Sequence, residues 1–328
     1  MRVLSTRGFR GRLSRKHCQS RSELCRPHRE PRALPPSRGN AAAGRLSSAF
    51  VLFLKPKFWS RRDFVDDGHE DQHWGYEGST GPDFWPDLFP DFCAGTSQSP
   101  IDLNDDDDTL VTSTDDWVFS RYDTIPNQMI IKNNGHSAQV EWTTTAIGEV
   151  PHVSGGNLGG EFAFAQFHFH WGKKNNRGSE HTINGKTFPA ELHLVHFNTK
   201  YDTIGDAVAQ EDGLAVLGIM LKIASEDNEK LSPIIDGLSS QETLATPFAL
   251  SDLLPDDVTT FYRYSGSLTT PTCNEVVTWT VFEDPITISN NQIEEFRKLL
   301  DDAENPIVDN FRPVQPLNGR LVSGKEKE

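Results

Sequence analysis

Two short segments, Gln166-Phe167-His168-Phe169-His170-Trp171 and Glu191-Leu192-His193-Leu194-Val195-His196-Phe197, constrain this chain more than any other feature. In a β-strand successive side chains point to opposite faces. Extended backbone over 166–171 therefore puts Gln166, His168 and His170 on one face, with Phe167 and Phe169 on the other. The same parity over 191–197 groups Glu191, His193 and Val195 and sends Leu192, Leu194 and His196 the other way. A lone His-x-His pair is weak evidence for a metal site, because short motifs recur by chance. If the two segments are neighbouring strands, however, His193 completes a set of three imidazoles. Three neutral ring nitrogens suit zinc or a similar borderline ion. They leave one tetrahedral position open, which is the arrangement of a catalytic site.

The parity also supplies outer partners. Metal-bound histidines usually hand their second N–H to a carboxylate or amide oxygen, which fixes tautomer and ring orientation. Gln166 lies two residues before His168, and Glu191 two before His193, each on its ligand's face. The other reading of Glu191 is an ordinary surface charge. Leu192, Leu194 and Val195 around it favour a buried strand, where a lone carboxylate is costly.

The net charge of −15 hides an asymmetry: residues 1–62 hold 16 Lys/Arg and 2 acids, and the remainder holds 16 Lys/Arg and 45 acids. A body of charge −29 repels nucleic acid, which excludes that class of partner. Residues 1–62 are Arg-, Ser-, Pro- and Ala-rich without periodicity and read as a disordered basic leader. An Arg-rich, acid-poor transit peptide fits them; a secretory signal fits poorly, because the apolar stretch comes about 48 residues in. An artefact of the gene model is the third possibility. No apolar run reaches the ~20 residues of a membrane span, and the polar end of the chain carries no GPI signal. Among Cys18, Cys25, Cys93 and Cys273 there is no CxxC pair, so a cysteine-ligated zinc finger is unsupported. The run Asp105–Asp108 reads as a solvated loop, with a weak calcium or mineral contact as the sharper alternative.

From Asp63 onward, short β-branched and aromatic runs are separated by Gly, Pro, Asn and Asp clusters: 128–132, 138–143, 162–171, 191–198, 214–222 and 275–282. That pattern is sheet-dominated. The best helix candidate joins Ile293, Phe296, Leu299 and Leu300, with Ser289 or Asn290 as N-cap. Periodicity alone leaves 213–220 as strand or helix.

The segments together resemble the α-class carbonic anhydrases. The residues that carry the resemblance are Trp74-Gly75-Tyr76, Gln98-Ser99-Pro100-Ile101-Asp102, Asn133-Asn134-Gly135-His136, His168-Phe169-His170-Trp171-Gly172, Gly178-Ser179-Glu180-His181-Thr182, Glu191 to His196, Gly266-Ser267-Leu268-Thr269-Thr270-Pro271 and Phe311-Arg312-Pro313, in family order. The resemblance implies an α+β, sheet-dominated fold: one domain over 63–322 around a large, mostly antiparallel twisted sheet with short surface helices, then a polar tail over 323–328. It implies zinc, Zn(2+), on His168, His170 and His193, with Gln166, Glu191 and the Asn310 carbonyl as outer acceptors. The substrate pair is carbon dioxide and bicarbonate.

Thr269 resembles the gate residue that accepts the proton of zinc-bound hydroxide and donates its own to Glu180. Thr270 matches the bicarbonate position. Val195, Val216, Leu268, Val277 and Trp279 match the apolar pocket for the neutral gas. Tyr76, Asn134 and Gln139 match the water network, with Gln139 where many relatives carry Asn. His136 matches the proton shuttle, a role that suits a side chain of unperturbed pKa ~6.5. Extracellular relatives imply a disulfide between Cys93 and Cys273, hence secretion; organelle targeting by the leader is the alternative. His181 is expected in a local hydrogen-bond network and His196 in the core. His69, His73 and His152 are expected at the surface. Oligomeric state is left open. Relatives that have lost catalysis would lack a ligand histidine, and all three are present. The alternative function, an acidic matrix or biomineral-associated binding protein, rests on the charge of the body and on Asp105–Asp108.

Overall fold

The computed structural model of the protein describes residues 73–104, 116–144, 146–240 and 243–325. The basic leader and Asp105–Asp108 lie outside the described residues. Among the described residues twelve strands run β1 (Asp102–Leu103), β2 (Val118–Ser120), β3 (Met129–Asn133), β4 (Ala138–Trp142), β5 (His152–Ser154), β6 (Phe162–Trp171), β7 (Thr182–Ile183), β8 (Ala190–Asn198), β9 (Leu214–Ala224), β10 (Phe261–Gly266), β11 (Val277–Ser289) and β12 (Ser323–Lys325). The α-helices are short: α1 (Trp85–Leu88), α2 (Ile204–Ala207), α3 (Ser232–Gly237) and α4 (Asn290–Phe296).

Ten strands form one sheet in the order β12-β10-β11-β9-β8-β6-β4-β3, with β5 pairing β6 and β2 pairing β5. Every pairing in it is antiparallel except β9 with β11. The sheet-dominated, mostly antiparallel class expected from the sequence is the one observed. The ambiguous stretch 213–220 is strand, since Leu214–Ala224 sits between β8 and β11. There its apolar side chains are covered on both faces, and all but the last three residues are buried. Residues 323–325, read as the start of a polar tail, add an edge strand against Phe261–Arg263. A polar sequence can do this because edge pairing draws on backbone groups alone.

The helical stripe ends sooner than its apolar spacing suggests. Ser289 caps α4 with a reciprocal capping box to Gln292, but the helix stops at Phe296. Leu299 is buried beyond it, and Leu300 turns outward to bridge Pro306. The core gathers Trp171, Phe162, Phe167, Phe169 and Phe282, each fully buried. At ~1.5–3 kcal/mol per buried large apolar side chain, this layer fixes the sheet on which the site is built.

Two adjacent rows of cross-strand neighbours carry the site. One runs Gln139, His168, His193 and Gly218 across β4, β6, β8 and β9. The other runs Glu141, Gln166, Val195, Val216, Trp279 and Tyr264. Directly opposed residues share a face, so both rows project to the same side of the sheet.

Candidate metal centre

The parity argument requires β6 and β8 to be neighbours, and they are, with His168 directly opposite His193. One ring nitrogen from each of His168, His170 and His193 lies within 4.8 Å of the other two. Each ring is tied back through its other nitrogen. His168 Nδ1 donates to Gln166 Oε1 at 2.9 Å, His170 Nδ1 to the Asn310 carbonyl at 2.8 Å, and His193 Nε2 to Glu191 Oε1 at 2.8 Å. The free nitrogens that converge are therefore Nε2 of His168 and His170 and Nδ1 of His193. Burial, then the neighbouring rings, pushes the His168 pKa well below its ordinary value; burial lowers that of His170 despite the Glu180 charge. Neutral rings keep the lone pairs a cation needs.

Glu191 is buried, and the surface-charge reading fails. Its two oxygens accept from His193 Nε2, from His181 Nδ1 at 2.7 Å, and from the backbone N–H groups of Glu180 and His181. Burial alone would raise its pKa. The His181 and His193 rings outweigh that and hold the carboxyl ionised, below the usual range. Gly218 makes room for it, since a Cβ there would stand 3.2 Å from Glu191 Oε1. Gly178, at φ +145°, lets the Glu180 loop cross against β8; a Cβ would meet the Pro189 carbonyl at 1.9 Å.

The donor set fits a divalent cation on an observation independent of any motif. His170 Nε2 and Glu180 Oε2 are both buried without a hydrogen-bond partner, 3.4 Å apart. Two such orphan atoms facing one point are costly unless something polar or charged lies between them.

Glu180 Oε1 accepts from the Arg312 backbone N–H at 2.8 Å. The hydrogen bond from Thr269 to Glu180 implied by the resemblance is not formed: Thr269 is buried, but Glu180 Oε2 turns towards His170 instead. Val195, Val216, Val277 and Trp279 are buried, and Leu268 and Thr270 are half-buried. Trp279 meets the His193 ring edge-on at 4.8 Å. Asn134 Nδ2 donates to Gln139 Oε1 at 3.3 Å, whereas the buried Tyr76 hydroxyl makes no hydrogen bond and its ring contacts His136. Burial and then the Glu180 charge raise the Tyr76 pKa well above its ordinary value. His136 is half-buried and stacked on Trp74 at 3.7 Å.

Cys93 and Cys273 are joined by a disulfide. His196 lies in the core against the Tyr122 hydroxyl at 2.6 Å, and burial pushes its pKa down to about 3. His152 is partly covered and held by Glu161 and the Ile147 carbonyl.

Sequence reasoning missed three contributors. Tyr264 bonds His181 Nε2 at 2.6 Å, and Ser99 Oγ bonds Tyr264 at 2.9 Å. Arg312, buried over the Trp85 ring at 5.4 Å, holds Gln98 and the Ser99 carbonyl through Nη1. Each stands in a quoted segment or beside one, but only the register between distant strands assigns its contact.

Two buried histidines and a partly buried third on a large sheet, each ring held by an outer acceptor, form a set that could hold a metal ion, as an enzyme of the metal-dependent class requires. The family model for eukaryotic-type carbonic anhydrases matches residues 80–326. The human protein named carbonic anhydrase 3 is 40% identical over 265 residues, covering 78% of this chain and 99% of the relative. The mouse protein named carbonic anhydrase 7 is 43% identical over 258 residues, covering 76% and 96%. The chain belongs to the eukaryotic-type carbonic anhydrase family and is an enzyme of that kind.

Proposed function

We propose that this enzyme hydrates carbon dioxide reversibly to bicarbonate and a proton at one zinc ion held by His168, His170 and His193. The observation that carries the reading is the convergence of the free nitrogens of three tied-back rings beside an orphaned carboxylate oxygen. Zinc bound there supplies Lewis acidity, which makes water a strong nucleophile near neutral pH. The chain does the rest. Gln166, Asn310 and Glu191 hold the rings in the tautomers that aim lone pairs inward. Glu180 keeps an acceptor oxygen free beside His170, and Thr269, buried on the separate loop between β10 and β11, is the residue that would orient the nucleophile. Val195, Val216, Leu268, Val277 and Trp279 offer carbon dioxide, which has no charge, an apolar wall. Thr270 stands at its rim. Metal analysis and stopped-flow hydration of the purified chain test the reading.

His136 carries the product proton out to buffer. Its half-exposed ring, stacked on Trp74 beside Tyr76, stands on the loop that Asn134 and Gln139 brace. Replacing His136 with Ala is expected to spare zinc content and carbon dioxide–bicarbonate exchange. It should lower the maximal rate in dilute buffer by roughly 10²-fold, the usual worth of a positioned proton-transfer group. Concentrated imidazole should restore much of it. A variant at the parental rate in dilute buffer removes His136 from the path.

The Cys93–Cys273 bridge supports an oxidising compartment, secreted or organellar. Residues 1–62 are expected to be dispensable for catalysis. A chain starting at Asp63 should hydrate carbon dioxide at the parental rate; a large loss would show that the leader takes part.

A further inference from the structure

Beside the zinc ligands, on the same sheet face, runs a chain of polar side chains of which the chemistry above uses only Asn134 and Gln139. Lys132 Nζ donates to Glu141 Oε2 at 2.8 Å. Gln139 Nε2 donates to Glu141 Oε1 at 2.7 Å. Asn134 Nδ2 donates to Gln139 Oε1 at 3.3 Å. Asn134 Oδ1 accepts from the backbone N–H groups of His136 at 3.0 Å and Ser137 at 2.8 Å. Ser137 Oγ then donates to the Phe169 carbonyl, between two ligand histidines, at 2.5 Å.

The direction of the amide bonds in this chain, from Glu141 to the Asn134 oxygen, follows from one group. A carboxylate accepts hydrogen bonds and has none to give, whereas an amide can present either end. Glu141 therefore selects the NH₂ end of Gln139. That leaves the Gln139 oxygen towards Asn134, so Asn134 must offer its own NH₂. Its oxygen is then turned to the loop, where two backbone N–H groups need an acceptor. If Gln139 were flipped, either two amide NH₂ groups would face each other or Asn134 would flip too and the loop would lose the anchor at its start. Lys132 holds the carboxylate in place; the pair is partly sheltered, with side-chain exposures of 31% and 18%. Glu141 also sits directly across from Gln166, the residue that braces His168.

We propose that Glu141, held by Lys132, is a positioning residue for proton release: it sets the amide polarity of Gln139 and Asn134 and so fixes the loop that presents His136. This rests on the reading of His136 as the proton carrier. It predicts an effect confined to proton transfer, because none of the four side chains holds a zinc-ligand ring.

The test uses full-length, zinc-loaded enzyme and Glu141→Gln, which keeps shape and removes the acceptor-only group. The maximal hydration rate in dilute buffer is expected to fall about threefold to tenfold, a fraction of the ~10² a proton-transfer group contributes. The ratio kcat/KM, which reports carbon dioxide–bicarbonate interconversion, should stay within about twofold, and concentrated imidazole should recover the lost rate. Lys132→Met should act in the same direction and less strongly. The deciding arm is the pair Glu141→Gln with His136→Ala. If Glu141 acts through the His136 loop, the double variant is no slower than His136→Ala alone. Additive losses, or a fall in kcat/KM matching that in kcat, would overturn the proposal. A parental rate for His136→Ala alone would overturn the reading of His136 first, and this one with it; a parental rate for Glu141→Gln beside a slow His136→Ala would overturn this one only.

Discussion

Replacing His193 with Ala is expected to strip the enzyme of zinc and of nearly all hydration. Two imidazoles from one strand remain, and His168 and His170 cannot enclose an ion as three donors from two strands do. The loss in rate should be on the order of 10⁴-fold or more, because the lowering of water's pKa from 15.7 towards ~7 goes with the metal. The fold should survive. Glu191 loses one of its partners but keeps His181 Nδ1 and the two backbone N–H groups of Glu180 and His181. Glu191→Gln attacks the same ring from behind and should cost less, about 10- to 100-fold in affinity or rate, since an outer partner orients the ligand without binding the ion. Both variants are read by chelator-competition titration beside circular dichroism. Stoichiometric zinc at parental affinity in His193→Ala, with parental hydration, would sink the assignment of the site.

How much of the fold and site is legible in the sequence depends on the range of the interaction. Strand parity is local, so the order of residues alone assigns the faces of Phe162–Trp171 and Glu191–Asn198. The register shift in β6 lies between Phe164 and Gln166, upstream of both histidines, and so leaves their parity intact. The capping box at Ser289 is equally local, while the end of α4 is not: Leu299 keeps the apolar spacing but is buried by packing outside the helix. What no local pattern conveys is partnership across the chain. The Asn310 carbonyl reaches His170 over 140 residues, and the Arg312 backbone N–H reaches Glu180 over 132. A backbone donor or acceptor has no sequence signature, so such contacts follow from resemblance or not at all. The absent Thr269–Glu180 bond has the same origin: the resemblance pairs two residues, and side-chain torsions decide which oxygen faces which donor. The amide directions from Glu141 to Asn134 likewise depend on a register that places β3 and β4 side by side.

Reduction of the Cys93–Cys273 disulfide is expected to be the most damaging covalent change outside the site. The bridge spans 180 residues of sequence. In the chain-entropy model a loop of that length is worth roughly 5 kcal/mol, and native bridges typically deliver ~2–4 kcal/mol. Its surroundings amplify the effect. Trp85, Phe89 and both cysteines form a small buried cluster set apart from the main core, so little apolar contact replaces the bond once it opens. Gln98 Nε2 bonds the carbonyls of Phe92 and Cys273 and the Glu275 carboxylate, tying both ends of the bridge to one side chain. Gln98 Oε1 in turn accepts from Arg312, whose backbone N–H holds Glu180. Loss of the bridge therefore loosens the loop that carries Thr269 and Thr270 as well as the support of Glu180. For a domain of this size ~1 kcal/mol moves the melting temperature by about 2–4 °C, so reductant should lower it by roughly 5–15 °C. The control is a variant with Cys93→Ser and Cys273→Ser together. It should melt at the lower temperature from the outset and ignore reductant, and its kcat/KM should equal that of the reduced parent with or without reductant. Two titratable thiols at these positions in native, non-reduced protein, or a parental melting temperature that reductant leaves unmoved, would show that the bridge does not hold this loop.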